Sequence, residues 1–561
     1  ALAAGVAATL RSAPELGVMT HFAQGWKLDA VPRLAQAGLT QVRDELYWEE
    51  IEPERGRYVF PPLYENYMTA LREQKITPLI ALTFANKNYD GGLTPHTEEG
   101  LDGYARYAVE VLRHYGSQIK ALEIWNEYNG TFCKGPATQD RPGTYVRMLK
   151  KAYSEIKRVR PDVVVVGGST AGLPLPYLER LFALGALDSM DAVSIHPYRS
   201  DTEPEGLETR IAALRDLIAR YNHGKPKPIW VTEIGWGTRQ ARAVGDLAID
   251  ERTQAMFLVR TYALLVTAGV ERIYWYLFRD YDQFATMGLV RGDAALTPKP
   301  AYRAMTTLQA YLRDAEFVER DKTTDGVYSL RFRRKSGGEF RIMWSWSPVT
   351  LPATGVDRVV DMLGAERPVL PTLTLTDSPL YVEGAVNGLP KAGAALLAPL
   401  VTEAFTGFSA EQGRNGWSYG VFAGESTQFV PLPTSRVTNW KEEWTGIYPH
   451  ISITASDQHP SASGPKPMSA VRRWESYFSG TALVSGRFKS STQGDGVRAR
   501  ILLDGKTIWT RALGGGQPIL GEFSLEVPVE PGSCVDFAVD PGPGAKINFD
   551  STQVSIAIRR K

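Results

Sequence analysis

At 561 residues, 43% hydrophobic and 10% aromatic, the chain is too long for a single core and is expected to divide into two or three domains. Its 63 lysines and arginines almost balance 62 aspartates and glutamates, so no overall field attracts nucleic acid or an acidic membrane surface. The two cysteines, Cys133 and Cys534, lie far apart and suggest neither a disulfide framework nor a cysteine-based metal site.

No stretch approaches the roughly 18 to 20 apolar residues that span a bilayer, so membrane insertion is not expected. Residues 1–8 lack both an initiator methionine and a basic segment. They read as the start of a trimmed chain or of a mature exported one, secreted or periplasmic.

From residue 17 to about 313, short apolar or β-branched runs alternate with longer amphipathic stretches. The predicted strands are 17–22, 41–48, 77–84, 119–127, 162–169, 191–198, 228–236 and 272–280. Between them, residues 101–115 and 144–159 carry apolar side chains at helical spacing. Strand then helix, eight times over some 300 residues, predicts an α/β fold, a (β/α)8 TIM barrel covering residues 1–313. No G-x-G-x-x-G follows the first strand, so a nucleotide cofactor has no seat. After 313 the texture turns to short strands. Residues 327–332 and 339–346 read as a hairpin about Ser336-Gly337-Gly338, within a small accessory β-domain at 314–390. Residues 391–403 read as a linker. Recurring strands over 404–561 predict a C-terminal β-sandwich of jelly-roll kind.

Two segments carry the chemistry. Residues 123–129 read Glu-Ile-Trp-Asn-Glu-Tyr-Asn and residues 229–236 read Ile-Trp-Val-Thr-Glu-Ile-Gly-Trp. Each brings a glutamate, Glu127 and Glu233, to the end of a predicted strand, the fourth and the seventh, where a barrel keeps its reactive groups. Two carboxylates facing each other across one mouth can cleave a glycosidic bond, one protonating the leaving oxygen and the other attacking the anomeric carbon. A lone strand-end glutamate is more often an ordinary salt-bridged residue; the pairing is what points to catalysis. Glu45 and Glu123 read as structural. The seven histidines show no H-E-x-x-H spacing, so neither a metal nor another cofactor is expected. Gly416-Trp417-Ser418-Tyr419-Gly420 matches a nucleophile elbow by letter only, since a sandwich offers no strand-to-helix turn.

The Asn126-Glu127 pair with a second glutamate on strand seven resembles the clan A glycoside hydrolases, a group of retaining barrel enzymes. Together with Trp48-x-x-Ile51-Glu52-Pro53-x-x-Gly56-x-Tyr58-x-Phe60, it is similar to family 39 and its PslG-like exopolysaccharide-cleaving branch. The resemblance covers the barrel. It departs from many family 39 members at Tyr128, where they carry proline. It implies Glu127 as acid/base, Glu233 as nucleophile, Asn126 as a partner of the sugar 2-hydroxyl, and Arg43, His196 and Tyr198 as groups around Glu233. Trp48, Trp236, Trp275 and Tyr276 are expected to wall the sugar site, with Trp125 added to its floor.

The function so implied is retaining hydrolysis of β-glycosidic bonds in a polysaccharide or oligosaccharide, endo-acting on an exopolysaccharide. An exo-acting β-glycosidase such as a β-xylosidase stays open, as does a non-catalytic carbohydrate-binding protein on the same scaffold. In the sandwich, Trp417, Tyr419, Phe422, Trp440, Trp444 and Tyr448 are either sugar-stacking rings or core, and the segment through Phe549-Asp550 resembles modules appended to carbohydrate-active enzymes.

Overall fold

The computed structural model describes residues 14–199, 203–238, 249–281, 286–324, 326–391, 398–438, 441–446, 448–463, 466–491, 494–542, 544 and 550–561. The opening segment, Trp440 and Phe549 lie outside these. The described residues divide into two compact units, one through Lys391 and one from residue 398.

Eight parallel strands close a barrel in sequence order: β1 (Glu15–Met19), β2 (Gln41–Tyr47), β3 (Thr77–Thr83), β4 (Ala121–Ile124), β5 (Val164–Ala171), β6 (Ala192–His196), β7 (Ile229–Ile234) and β8 (Arg272–Trp275). β1 pairs with both β2 and β8, which removes every open edge. Helices follow the strands, among them Glu98–Tyr115, capped by the Thr97 hydroxyl on Gly100 N–H, and Arg141–Val159, capped by Asp140 on Gly143 N–H. Their apolar stripes cover the barrel, as the helical spacing of Leu101, Tyr104, Ala108 and Leu112 requires.

Inside the barrel, Leu79, Ala121, Val166, Ala192, Trp230 and Tyr274 form one apolar layer. An eight-stranded barrel is just narrow enough for side chains to fill, so this layer plugs the interior beneath the polar side chains nearer the strand ends. Strand alternation therefore decides which residues reach the site.

The barrel's core continues without a break into the β-domain. A six-stranded antiparallel sheet, in the order Glu366–Arg367, Val356–Asp361, Leu380–Gly384, Glu339–Ser345, Val327–Arg334 and Ala315–Arg320, shares Tyr328, Leu330, Phe340, Trp344 and Tyr381 with the barrel's cluster. The expected hairpin is present: Val327–Arg334 pairs with Glu339–Ser345, and Gly337 and Gly338 take φ of 95° and 82°, a left-handed conformation glycine adopts at little cost. Trp344 donates its indole N–H to Glu205, which also holds Arg260, so the sheet is tied to the barrel by a buried polar contact as well as by apolar burial.

The second unit is a β-sandwich of an eight-stranded and a six-stranded sheet around its own core. Leu400–Glu403, inside the segment read as a linker, is a strand of this sandwich and pairs with Thr552–Arg560. Apolar alternation over four residues was too short to separate a strand from a Gly- and Ala-rich connector. Trp417, Tyr419, Phe422 and Trp444 are buried, so these rings are core and offer no sugar face, while Tyr448 is half-buried against the same cluster. Ser418 sits within the strand Trp417–Ala423 opposite Arg473, which removes any nucleophile elbow. Cys133 and Cys534 are unpaired. No described helix is long and apolar enough to cross a membrane.

Candidate active site

Arg43 organises the barrel mouth. It projects inward from β2, fully buried, and its fork reaches three side chains on other elements. Nε donates to Glu123 Oε2 at 2.6 Å, Nη1 to Glu233 Oε1 at 2.6 Å and Nη2 to Asn126 Oδ1 at 2.9 Å. A planar guanidinium meets acceptors in several directions at once, which an ammonium cannot. Burial pulls this guanidinium down, but the charges of Glu123 and Glu233 outweigh it and hold its pKa above the ordinary value. Glu123, on β4, is fully buried and also accepts from Thr232 Oγ1 at 2.9 Å; burial pushes its carboxyl up, and Arg43 and His196 more than reverse that, leaving it below the usual value. It anchors Arg43, the structural part expected of it.

Glu233 owes its position to an irregularity. On β7, Trp230 faces the inner layer and Thr232 reaches Glu123, so simple alternation would turn Glu233 outward. The ladder with β8 shifts register between Val231 and Ile234. Such a bulge re-aims one side chain, and Glu233 follows Thr232 into the mouth. There Oε1 accepts from Arg43 and Oε2 from the Tyr198 hydroxyl at 2.8 Å. Burial and the neighbouring Glu233 charge keep that hydroxyl protonated, well above its ordinary pKa.

Glu127 is placed differently. β4 ends at Ile124, three residues before it, and not at Glu127 as the sequence suggests. The chain then turns, with Trp125 at φ 71° and Glu127 at φ 48°. Non-glycine residues occupy this left-handed region at a cost, and such strain collects at functional sites. Neighbours fix the turn: Tyr104 Oη accepts from Trp125 N–H, Gly130 N–H bonds Glu127 O, and the Asn129 amide pairs both ways with the Ala171 backbone on β5. The Glu127 side chain remains 21% exposed, against 10% for Glu233.

His196, ending β6, joins the two. Its Nδ1 lies 3.0 Å from Glu127 Oε1 and 3.7 Å from Glu233 Oε2. Burial lowers its pKa, yet the Glu233 charge and the Glu127 hydrogen bond raise it further, for a net upward shift. One oxygen of each glutamate and one ring nitrogen of His196 all fall within 4.8 Å of one another. This is the one such trio among the described residues with metal-like spacing. Arg43 already sits on Glu233, so a cation entering there would meet an unscreened guanidinium.

Tyr276, just past β8, also points into the mouth. Its hydroxyl is 3.2 Å from His21 Nε2 and its ring packs edge-on against Tyr198. His21, after β1, was not anticipated. Burial above all lowers its pKa to about 4, with Glu233 opposing and Arg43 assisting, so it is neutral near pH 7. A histidine two residues past the end of β1 was the available signal.

Three expected wall residues are corrected. Tyr274 fills the inner layer and Tyr276 reaches the mouth, so Trp275 between them faces the helices, packed near Trp236 and Tyr262. Trp236 is buried against Phe257. Trp48 stacks between Tyr89 and Tyr107 and donates its N–H to Glu52 Oε2 at 2.7 Å. Glu52 further accepts from Gly56 N–H and the Tyr89 hydroxyl, so the Trp48 to Gly56 pattern locks a loop. Trp125, buried between Phe84 and Tyr128, likewise offers no floor.

The glycosyl hydrolase catalytic core family matches residues 117–301, a span running from β4 past β8 that includes both glutamates. The barrel carries a glycosyl hydrolase catalytic core and resembles clan A glycoside hydrolases. The solved structure of a family 39 glycoside hydrolase from the gut symbiont Bacteroides cellulosilyticus WH2 is similar at 25% identity, with a TM-score of 0.57, over 66% of this chain and 81% of that one. A conserved exported protein from Bacteroides fragilis shares the fold at 11% identity and a TM-score of 0.50, over 66% of this chain and 98% of that one. No curated protein matches. The glycoside hydrolase thus acts on O-glycosyl bonds, which sets aside a purely binding role for the barrel.

Proposed function

We propose that this glycoside hydrolase retains anomeric configuration, with Glu233 as nucleophile and Glu127 as acid/base, and cuts within β-linked chains of an exopolysaccharide. The observation that carries the mechanism is the separation of the two carboxylates. Oxygens within 4.8 Å fit the roughly 5 to 5.5 Å of a double displacement and leave too little room for the water that an inverting pair, about 6.5 to 9.5 Å apart, must hold between them.

Roles follow from contacts. Both Glu233 oxygens are held by donors, which fixes the carboxylate for attack on the anomeric carbon. Glu127 is the more accessible of the two and is free, apart from His196, to meet a leaving oxygen. It then takes a proton from water to release the glycosyl-enzyme. Arg43 holds the Asn126 oxygen, which leaves the amide N–H2 to face the 2-hydroxyl. The carboxylates of Glu233 and Glu123 against the single charge of Arg43 give the site a negative balance suited to an oxocarbenium-like transition state. A polymer too large to enter a cell also places the enzyme outside the cytoplasm, secreted or periplasmic.

The test is to incubate the protein with a panel of β-linked polysaccharides and aryl β-glycosides and resolve the products by size. Oligosaccharides from mid-chain cuts support the endo reading and identify the polymer. Release of single sugars alone assigns an exo-acting β-glycosidase instead.

A further inference from the structure

We propose that Phe132, braced by Phe84 stacked against it, forms a stacking platform for the sugar on the leaving-group side of the cleaved bond, so that the preferred leaving group is itself a pyranoside of a chain. This rests on the assignment of Glu127 as acid/base.

Three rings lie at the C-terminal ends of consecutive strands: Tyr47 ends β2, Phe84 follows β3, and Phe132 belongs to the turn after β4. Phe84 and Phe132 are nearly parallel, centroids 4.9 Å apart at 8°, and Tyr47 continues the row at 6.2 Å and 33°. Phe84 is fixed from behind by the edge of the buried Trp125 at 5.7 Å. The inner faces of the stack cover one another, which leaves the outer face of Phe132 open with Phe84 and Trp125 behind it. Phe132 is 39% exposed, the most exposed aromatic among the described barrel residues, while Tyr47 and Phe84 are half-buried. Apolar faces left open beside a polar cleft mark ligand contact, and flat rings suit the C–H face of a pyranose.

Placement on the leaving-group side follows from chemistry. The acid must stand beside the departing oxygen, so whatever departs lies next to Glu127. Phe132 comes five residues after Glu127 in the same turn, closed by the Gly130 N–H to Glu127 O bond. Glu233, Tyr198 and Tyr276 come instead from β6, β7 and β8, across the mouth. Tyr47 is held by its hydroxyl, which donates to the buried Glu45 at 2.7 Å.

The experiment compares the wild type, Phe132→Ala and Phe132→Trp on β-linked gluco-, xylo-, manno- and galacto-oligosaccharides from disaccharide to hexasaccharide and on the matching β-glycosyl fluorides. Fluoride is a leaving group that cannot stack. The expected result for Phe132→Ala is a fall of about tenfold in the ratio of kcat/KM for oligosaccharide to that for fluoride, carried mainly by KM, with Phe132→Trp restoring it. An unchanged ratio, with or without a loss of overall rate, overturns the platform while leaving the carboxylate assignment in place. A wild type that cleaves none of these compounds overturns that assignment, and the platform with it.

Discussion

Arg43 is the residue on which the site depends, because its three donors meet side chains from three other segments. Lysine in its place keeps one charge but cannot reach Glu123, Glu233 and Asn126 together. Arg43→Lys is expected to lower kcat by about 100-fold or more, as losing a preorganised donor set does, and steady-state kinetics with near-normal kcat would remove its organising role. Tyr198→Phe deletes a single donor to Glu233 and should cost about tenfold, roughly 1.4 kcal/mol in the barrier. Glu233→Gln should abolish turnover with folding intact. Glu127→Ala should slow poor leaving groups far more than activated aryl glycosides, which need little protonation; equal losses on both classes would speak against an acid/base role. The two glutamates stood out because both were expected at strand ends, whereas Glu127 lies three residues past the end of β4. The tryptophans misled for a physical reason: a large ring beside a strand end serves a core as readily as a sugar, and only parity separates Trp275 from Tyr276.

At the level of the element, eight strands could be read because each is a short apolar run between amphipathic helices. Their ends could not, since a strand stops where pairing stops and sequence does not show pairing. The bulge that turns Glu233 inward and the left-handed turn that carries Glu127 are both tertiary events. Asp44, fully buried, accepts from Thr20 Oγ1, Phe22 N–H and Glu45 N–H, fastening the segment that bears His21. Burial pushes its carboxyl up to about 7 despite these donors. Unfolded, it titrates near about 3.9. The folded chain thus holds the extra proton between these values, and this group's stabilising contribution, full below pH 4, is lost as pH rises to 7. The unfolding free energy of the wild type, from urea titration, should fall across that interval by more than that of Asp44→Asn, by about 1.4 kcal/mol per pH unit at most. Parallel profiles for the two proteins would exclude Asp44 as the source.

For the whole molecule, composition and length led to an expectation of two or three domains, and the described residues divide into two compact units. That the β-domain shares the barrel's core while the sandwich has its own was not legible, because apolar strands do not announce their partners. The two cores predict two thermal transitions by calorimetry, the barrel and β-domain melting together; a single cooperative transition, or three, would contradict that division. The chemistry has a more direct test. Proton NMR of a polymer or aryl β-glycoside during the first moments of hydrolysis reads the configuration of the new anomeric centre before mutarotation. The Glu127 and Glu233 geometry predicts that the β-anomer forms first. An initial α-anomer would mean an inverting enzyme and would contradict the double displacement.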